Sequence, residues 1–197
     1  MTITPEMIKE LREKTSAGVL DCKKALVAAQ GDPKRAQEIL REKGLAVVNK
    51  KASRAAKEGL VEVYAHLGRA ASIVELNCET DFVARTPEFR ELAHELAMQV
   101  VAARPTYVKP EDVPAKVLED EMRIYRAQMA DQNKPPQVIE KIVEGKLKNF
   151  YAETCILNQL YIKDQTRTVQ DIINDRIAKT GENIVLRRFA RIELGEE

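Results

Sequence analysis

Apolar positions in the first part of the chain recur at helical spacing between clear stops. Ile3, Met7, Ile8 and Leu11 form one stripe, Thr15-Ser16-Ala17-Gly18 breaks it, and Val19, Leu20, Ala25, Leu26 and Ala29 supply the inner side of a second helix closed by Gly31. Asp32 stands where a helix N-cap belongs, with Pro33 in the first turn, where its missing N–H costs nothing. The third helix turns Ala36, Ile39 and Leu40 inward and is expected to meet its stop at Gly44. Residues 1–45 are thus expected to pack as a three-helix mini-domain, marginal in size for a core of its own. Residues 46–58 follow as a linker in which Lys50, Lys51, Arg54 and Lys57 face a single acid, and whose alanines favour a helix while offering little to bury. Such a segment is either an electrostatic contact to an acidic or phosphate-bearing partner or a solvated helix face.

The pattern changes at Gly59. Leu60 to His66 and Ala71 to Cys78 are strand-like runs around a Leu67-Gly68-Arg69 turn, which predicts a hairpin. Thr86-Pro87 then opens a helix whose Phe89, Leu92, Ala93, Leu96, Ala97, Val100 and Val101 make a broad buried stripe, ended by Arg104-Pro105. Leu118, Met122, Tyr125 and Met129 share one helical face, and Lys134-Pro135-Pro136 turns the chain into a second carrying Ile139, Val143, Leu147 and Phe150. These two predict a helical hairpin. After a loop near Lys163 to Thr166, a short helix places Val169, Ile172, Ile173 and Ile177 ahead of a Gly181 stop, and Asn183 to Leu194 alternates like a closing strand. Residues 59–197 therefore read as an α+β unit, an antiparallel sheet of three strands with helices packed on it.

The 32 Lys and Arg against 31 Asp and Glu leave a formal charge of +1, so the global field that draws nucleic-acid binders to phosphate is missing and no direct nucleic-acid contact is expected. Apolar runs are broken by charge well short of the roughly 20 residues that span a bilayer, and the start MTITPEMIKELREK has no signal-peptide core. A cytoplasmic protein without membrane association is expected. Cys22, Cys78 and Cys155 lie far apart, outside any zinc-like spacing, and are expected to be small buried hydrophobes rather than a disulfide framework or a metal site.

Candidate chemistry is sparse. None of the 8 glycines sits in a phosphate-cradling loop, which argues against an NTPase, and no cofactor is implied. A thiol enzyme built on Cys78 would need one of only two histidines, His66 and His94, in reach. Asn77 to Arg85 is more informative, because it leaves a strand and enters a loop while keeping Phe82 beside Asp81. Phe82 is either part of the core or a displayed apolar wedge flanked by charge, just ahead of a rigid helix.

Three separated segments carry a family resemblance: TSAGVLDCKKAL at Thr15 to Leu26, TDFVAR at Thr80 to Arg85 and GENIVLRRF at Gly181 to Phe189. In this order, end to end, the chain resembles bacterial elongation factor Ts. The resemblance implies a guanine-nucleotide exchange factor, not an enzyme, that binds elongation factor Tu in its GDP-bound and nucleotide-free forms. It implies a ubiquitin-associated-like fold for the three-helix unit, with Val19, Leu20 and Lys23 on the surface that grips the partner's GTPase domain. It places Thr80, Asp81, Phe82 and Val83 in the loop that intrudes on the partner's nucleotide site, Phe82 as wedge and Asp81 as polar companion. Family members often carry Gly and Met-Met where this chain has Ser16 and Val19-Leu20. Longer relatives have two core modules side by side, so the single module here is expected to form a homodimer through residues 59–197. The alternative is a ubiquitin-associated-type binding module with an unrelated body and no exchange activity.

Overall fold

The structure, a computed structural model, describes residues 3–15, 17–129 and 135–196. Ser16, in the expected break after the first helix, and Lys134, in the expected turn of the helical hairpin, lie outside them. Helices α1 (Pro5–Thr15), α2 (Val19–Ala28) and α3 (Pro33–Lys51) pack around Leu11, Cys22, Ala25, Leu26, Ala29 and Ala36. Asp32 caps α3 as its sequence position predicts, its Oδ1 accepting from the N–H groups of Lys34 at 2.8 Å and Arg35 at 3.4 Å.

Strands β1 (Glu58–His66) and β2 (Ala70–Cys78) form the predicted hairpin, and a single helical turn, α4 (Asp81–Ala84), leads into α5 (Pro87–Ala103). Helices α6 (Ala115–Met129) and α7 (Pro136–Thr154) pair as the helical hairpin. A small ribbon of β3 (Leu160–Tyr161) and β4 (Asp164–Thr168) precedes α8 (Val169–Thr180) and the closing strand β5 (Val185–Glu193). The main sheet is antiparallel in the order β1-β2-β5, which makes this an α+β fold.

One face of the sheet carries the core. Val74 and Leu76 of β2 and Leu186 of β5 meet Phe89, Leu92, Leu96 and Val100 of α5, with Ile173 and Ile177 of α8 closing the side. The Ser72 hydroxyl donates to the Ala97 carbonyl at 2.7 Å and ties the central strand to α5. Gly59 is required where it stands: its φ is +146°, and a Cβ there would sit 2.1 Å from the Leu76 carbonyl oxygen of the paired strand. The other face of the sheet is exposed. Val61 and Val63 of β1, Ile73 of β2 and Ile192 of β5 are all exposed on it, Val63 directly opposite Ile73 and Ala71 opposite Ile192.

Three expectations need correction. The third helix does not stop at Gly44 but runs to Lys51, so half of the basic segment is helical. Gly44 lies against α8, with Ala178 Cβ 3.6 Å from where its own Cβ would be, and Val48 packs on the sheet's core, so tertiary contact carries the helix through its weakest residue. Val19 and Leu20 are not on the inner side of α2. Leu20 precedes the buried Cys22 by two positions, about 200° around the helix, and Val19 begins the first turn, beyond the reach of the packing helices. The loop near Lys163 is instead the β3–β4 ribbon, whose cover buries Gln99 on α5. The Gln99 amide N–H donates to Gln159 Oε1 at 3.2 Å and to the Leu160 carbonyl at 3.1 Å, while its oxygen accepts from Ile162 N–H at 2.9 Å.

Candidate functional site

The turn α4 is built by two threonines. Thr80 caps it, its hydroxyl oxygen 3.5 Å from the Val83 N–H, and Thr86 caps the next helix, accepting from the Phe89 N–H at 3.3 Å while donating to the Val83 carbonyl at 2.8 Å. Four residues at 100° spacing leave room for one buried side only. Val83 and Ala84 take it, packing against the main core. Asp81 and Phe82 are thereby turned outward, and Phe82 is 81% exposed, which decides against its being a core residue. Asp81 pairs with Arg85 at 2.8 Å across the turn, so the aromatic ring stands beside a neutralised ion pair.

The chain ahead of the turn is held on both sides. The Glu182 carboxylate accepts from Thr80 Oγ1 at 2.6 Å and from Thr80 N–H at 3.1 Å. Glu79 Oε1 accepts from the Asn183 N–H at 2.7 Å, which holds the Glu79 carboxyl below the usual range, with Arg54 adding to the effect. The Cys78 thiol donates to the Thr80 carbonyl at 3.1 Å, and burial, reinforced by the charge of Glu182, pushes its pKa up to about 11. A thiol so protonated at neutral pH is a poor nucleophile. The histidines are engaged elsewhere: His94 Nδ1 lies 2.9 Å from Glu62 Oε1, and His66 Nδ1 lies 2.9 Å from the Tyr64 hydroxyl. Among the described residues, no group of three or more His, Cys, Asp or Glu side chains is placed to hold a metal ion.

The second candidate set lies on α2, a different element from α4. Val19 is half exposed, Leu20 is 72% exposed, and Lys23 stands one turn further on. Val27, also exposed, extends this face and escaped the sequence reading. The signal for it was present, since Val27 follows Leu20 by seven positions and Lys23 by four, two spacings that keep residues on one side of a helix. The two sets are joined through the body: α3 packs on α8, and the turn after α8 supplies Glu182 to Thr80.

Comparison with known proteins agrees over the whole length. A family model described as "Elongation factor TS" matches residues 34–177. The chain is 57% identical over 197 residues to a protein of Thermotoga maritima named elongation factor Ts, covering 100% of this chain and 98% of that one. It is 54% identical over 196 residues to elongation factor Ts of Thermodesulfovibrio yellowstonii, covering 100% and 98%, and 55% identical over 195 residues to that of Carboxydothermus hydrogenoformans, covering 98% and 90%. With the match running through the α5 core, the Phe82 turn and the three-helix unit alike, the chain belongs to the elongation factor Ts family.

Proposed function

We propose that this chain is a guanine-nucleotide exchange factor of translation elongation, working in the cytoplasm by binding elongation factor Tu and promoting GDP release so that GTP can rebind. The observation that carries the proposal is Phe82: a large apolar side chain, exposed, on a capped turn whose backbone is already fixed. Burying such a side chain is worth about 1.5–3 kcal/mol. If the ring is seated only when the partner's nucleotide site is distorted, that energy appears as differential binding, and linkage requires GDP to be weakened by the same factor. A coupling of about 3 kcal/mol changes nucleotide affinity more than a hundredfold. Asp81 accompanies the ring as its polar neighbour, with Thr80 and Val83 shaping the turn. Val19, Leu20 and Lys23 grip the GTPase domain. They are needed in both nucleotide states and so anchor without driving exchange. No chemical bond is made or broken, and no cofactor or metal of the factor's own takes part.

The exposed sheet face supports the homodimer reading. Val61, Val63, Ile73 and Ile192 form an apolar surface on the side of the sheet away from α5, and a second copy of the chain covers it through two-fold pairing. Light scattering at micromolar concentration is expected to give the dimer mass, with or without reducing agent, since all three cysteines are buried. A monomer mass would refute this assembly.

Stopped-flow release of fluorescent GDP from purified elongation factor Tu, with and without the chain, tests the function directly. Acceleration that saturates with concentration is expected. A chain that binds a ubiquitin-like fold and leaves GDP release unchanged would favour the binding-module alternative, although a body matching the family over residues 34–177 gives that alternative no support.

A further inference from the structure

The geometry points to Glu182 and Glu79 as positioning residues for the Phe82 turn, acting together as a crossed carboxylate latch; this inference rests on the wedge reading above. The β2–β5 ladder has its last pair at Asn77 and Val185. Beyond it the two segments stay together through side chains, each sending a glutamate across to the other. Glu182, from the segment after α8, receives both the hydroxyl and the backbone N–H of Thr80, at 2.6 and 3.1 Å. Glu79, from the segment before the turn, receives the Asn183 N–H at 2.7 Å and the Arg54 guanidinium at 3.3 Å. Asn183 closes the circuit by donating its side-chain amide to the Arg54 carbonyl at 2.8 Å.

A turn of four helical residues is too short to hold itself, because helix nucleation is unfavourable and no propagation follows to offset it. The exposed Phe82 ring adds little packing in the free protein. What fixes the turn must therefore act at its edges. Val83 and Ala84 anchor its inner side, and the latch fixes its entrance by holding Thr80, the residue that caps it. Charge-assisted hydrogen bonds of this kind are directional as well as strong, so they set where the ring points and not merely that the loop is near. Arg54 belongs to the segment after α3, so the same latch also references the turn to the connection from the three-helix unit. A wedge that had to be ordered on arrival would spend part of its binding energy on that ordering, leaving less to displace the nucleotide.

The test is a double-mutant cycle on GDP release from elongation factor Tu, with full titrations of the chain and melting curves for each variant. Glu182→Ala is expected to slow release at saturating factor about fivefold, with less than about a twofold change in the half-saturating concentration. Glu182→Gln, which still offers an oxygen to the Thr80 N–H, is expected to recover part of that loss. In a Phe82→Ala background, Glu182→Ala should cost nothing further, because a positioning residue has nothing left to position. Thr80→Val keeps the shape of the side chain while removing its hydroxyl from both the latch and the α4 cap. It carries the same expectations should Glu182→Ala fold poorly. An unchanged saturated rate for the single variants, or the same fold loss in both backgrounds, would overturn the latch. A normal rate for Phe82→Ala alone would instead remove the wedge reading, and the latch with it.

Discussion

The turn at Phe82 and the helix at Phe89 use the same side chain to opposite ends within seven residues of each other. Phe89 is fully buried between α5 and the sheet, one of the largest side chains in the core, whereas Phe82 projects into solvent from a turn that its neighbours hold. What separates them is the number of inward positions each element offers. A helix of 17 residues presents a broad inner stripe with room for an aromatic, while a single turn has room for Val83 and Ala84 and displays what remains. The exposed start of α2 is a third case. Leu20 is displayed because the helix buries its other side, with no latch around it and only a small core beneath.

The comparison can be broken most forcefully at Phe89. Phe89→Ala is expected to cost about 3–5 kcal/mol of stability and to melt the protein early, the usual consequence of emptying a core aromatic site. Phe82→Ala should leave the melting temperature nearly unchanged and slow GDP release tenfold or more, since about 1.4 kcal/mol of lost differential binding is a factor of ten. Asp81→Ala should slow release less, its partner Arg85 being largely solvated. An early-melting Phe82→Ala measured by circular dichroism would erase the contrast.

At the start of α2, Val19→Ala and Leu20→Ala should weaken binding to the GDP-bound and nucleotide-free partner alike, leaving the saturated release rate intact. Isothermal titration against both forms checks this, and a loss confined to the nucleotide-free form would make α2 a second wedge. The boundary between the units gives a smaller effect. Residues 52–57, the part of the basic segment outside α3, include Arg54 and Lys57 on exposed chain, so limited trypsin should cut there first. First cuts near Gly145 would argue against a separable three-helix unit.

The smallest expected effect is on acid stability. Because the Asn183 N–H lowers the Glu79 carboxyl in the folded state, this group contributes stability above the unfolded value of about 4.3 and loses it as pH falls through the folded value. Glu79→Gln should therefore be less stable than the parent at pH 7, with the gap closing on acidification. A gap that persists unchanged at pH 3 would mean that the carboxylate charge is not what matters at this position.

The sheet and α5 were legible in the sequence because their burial is local and periodic, strand alternation in β1 and β2 and an unbroken helical stripe from Phe89 to Val100. Gln99 was not, since a polar residue at the edge of that stripe, seven positions after Leu92, reads as surface, and its partners come from Gln159 and the β3–β4 ribbon, whose polar run Asp164 to Arg167 resembles a loop. Gly44 misled for a related reason: a glycine stops a helix when nothing holds the chain beyond it, and here α8 does. Spacing alone left Phe82 balanced between core and surface, because one turn of helix is shorter than the period needed to assign a face. The family resemblance pointed outward, and the side chain is exposed. For Val19 and Leu20 the two lines of reading disagreed, the stripe placing them inside and the resemblance outside, and both side chains are exposed.

The uninterrupted course of α3 makes the bearing of the exposed α2 face a matter of helical phase. Its 19 residues span about 28 Å, from the three-helix core at one end to α8 and the main sheet at the other. One residue inserted between Leu40 and Val47 would advance the amino-terminal unit by about 1.5 Å and turn it by about 100° about the helix axis. Four inserted residues would restore the bearing to within about 40° while adding about 6 Å of length. Insertions of one to four residues thus vary angle and distance in different proportions, and α3 becomes a graduated ruler for asking how far apart, and at what rotation, the exposed α2 face and the Phe82 turn have to stand.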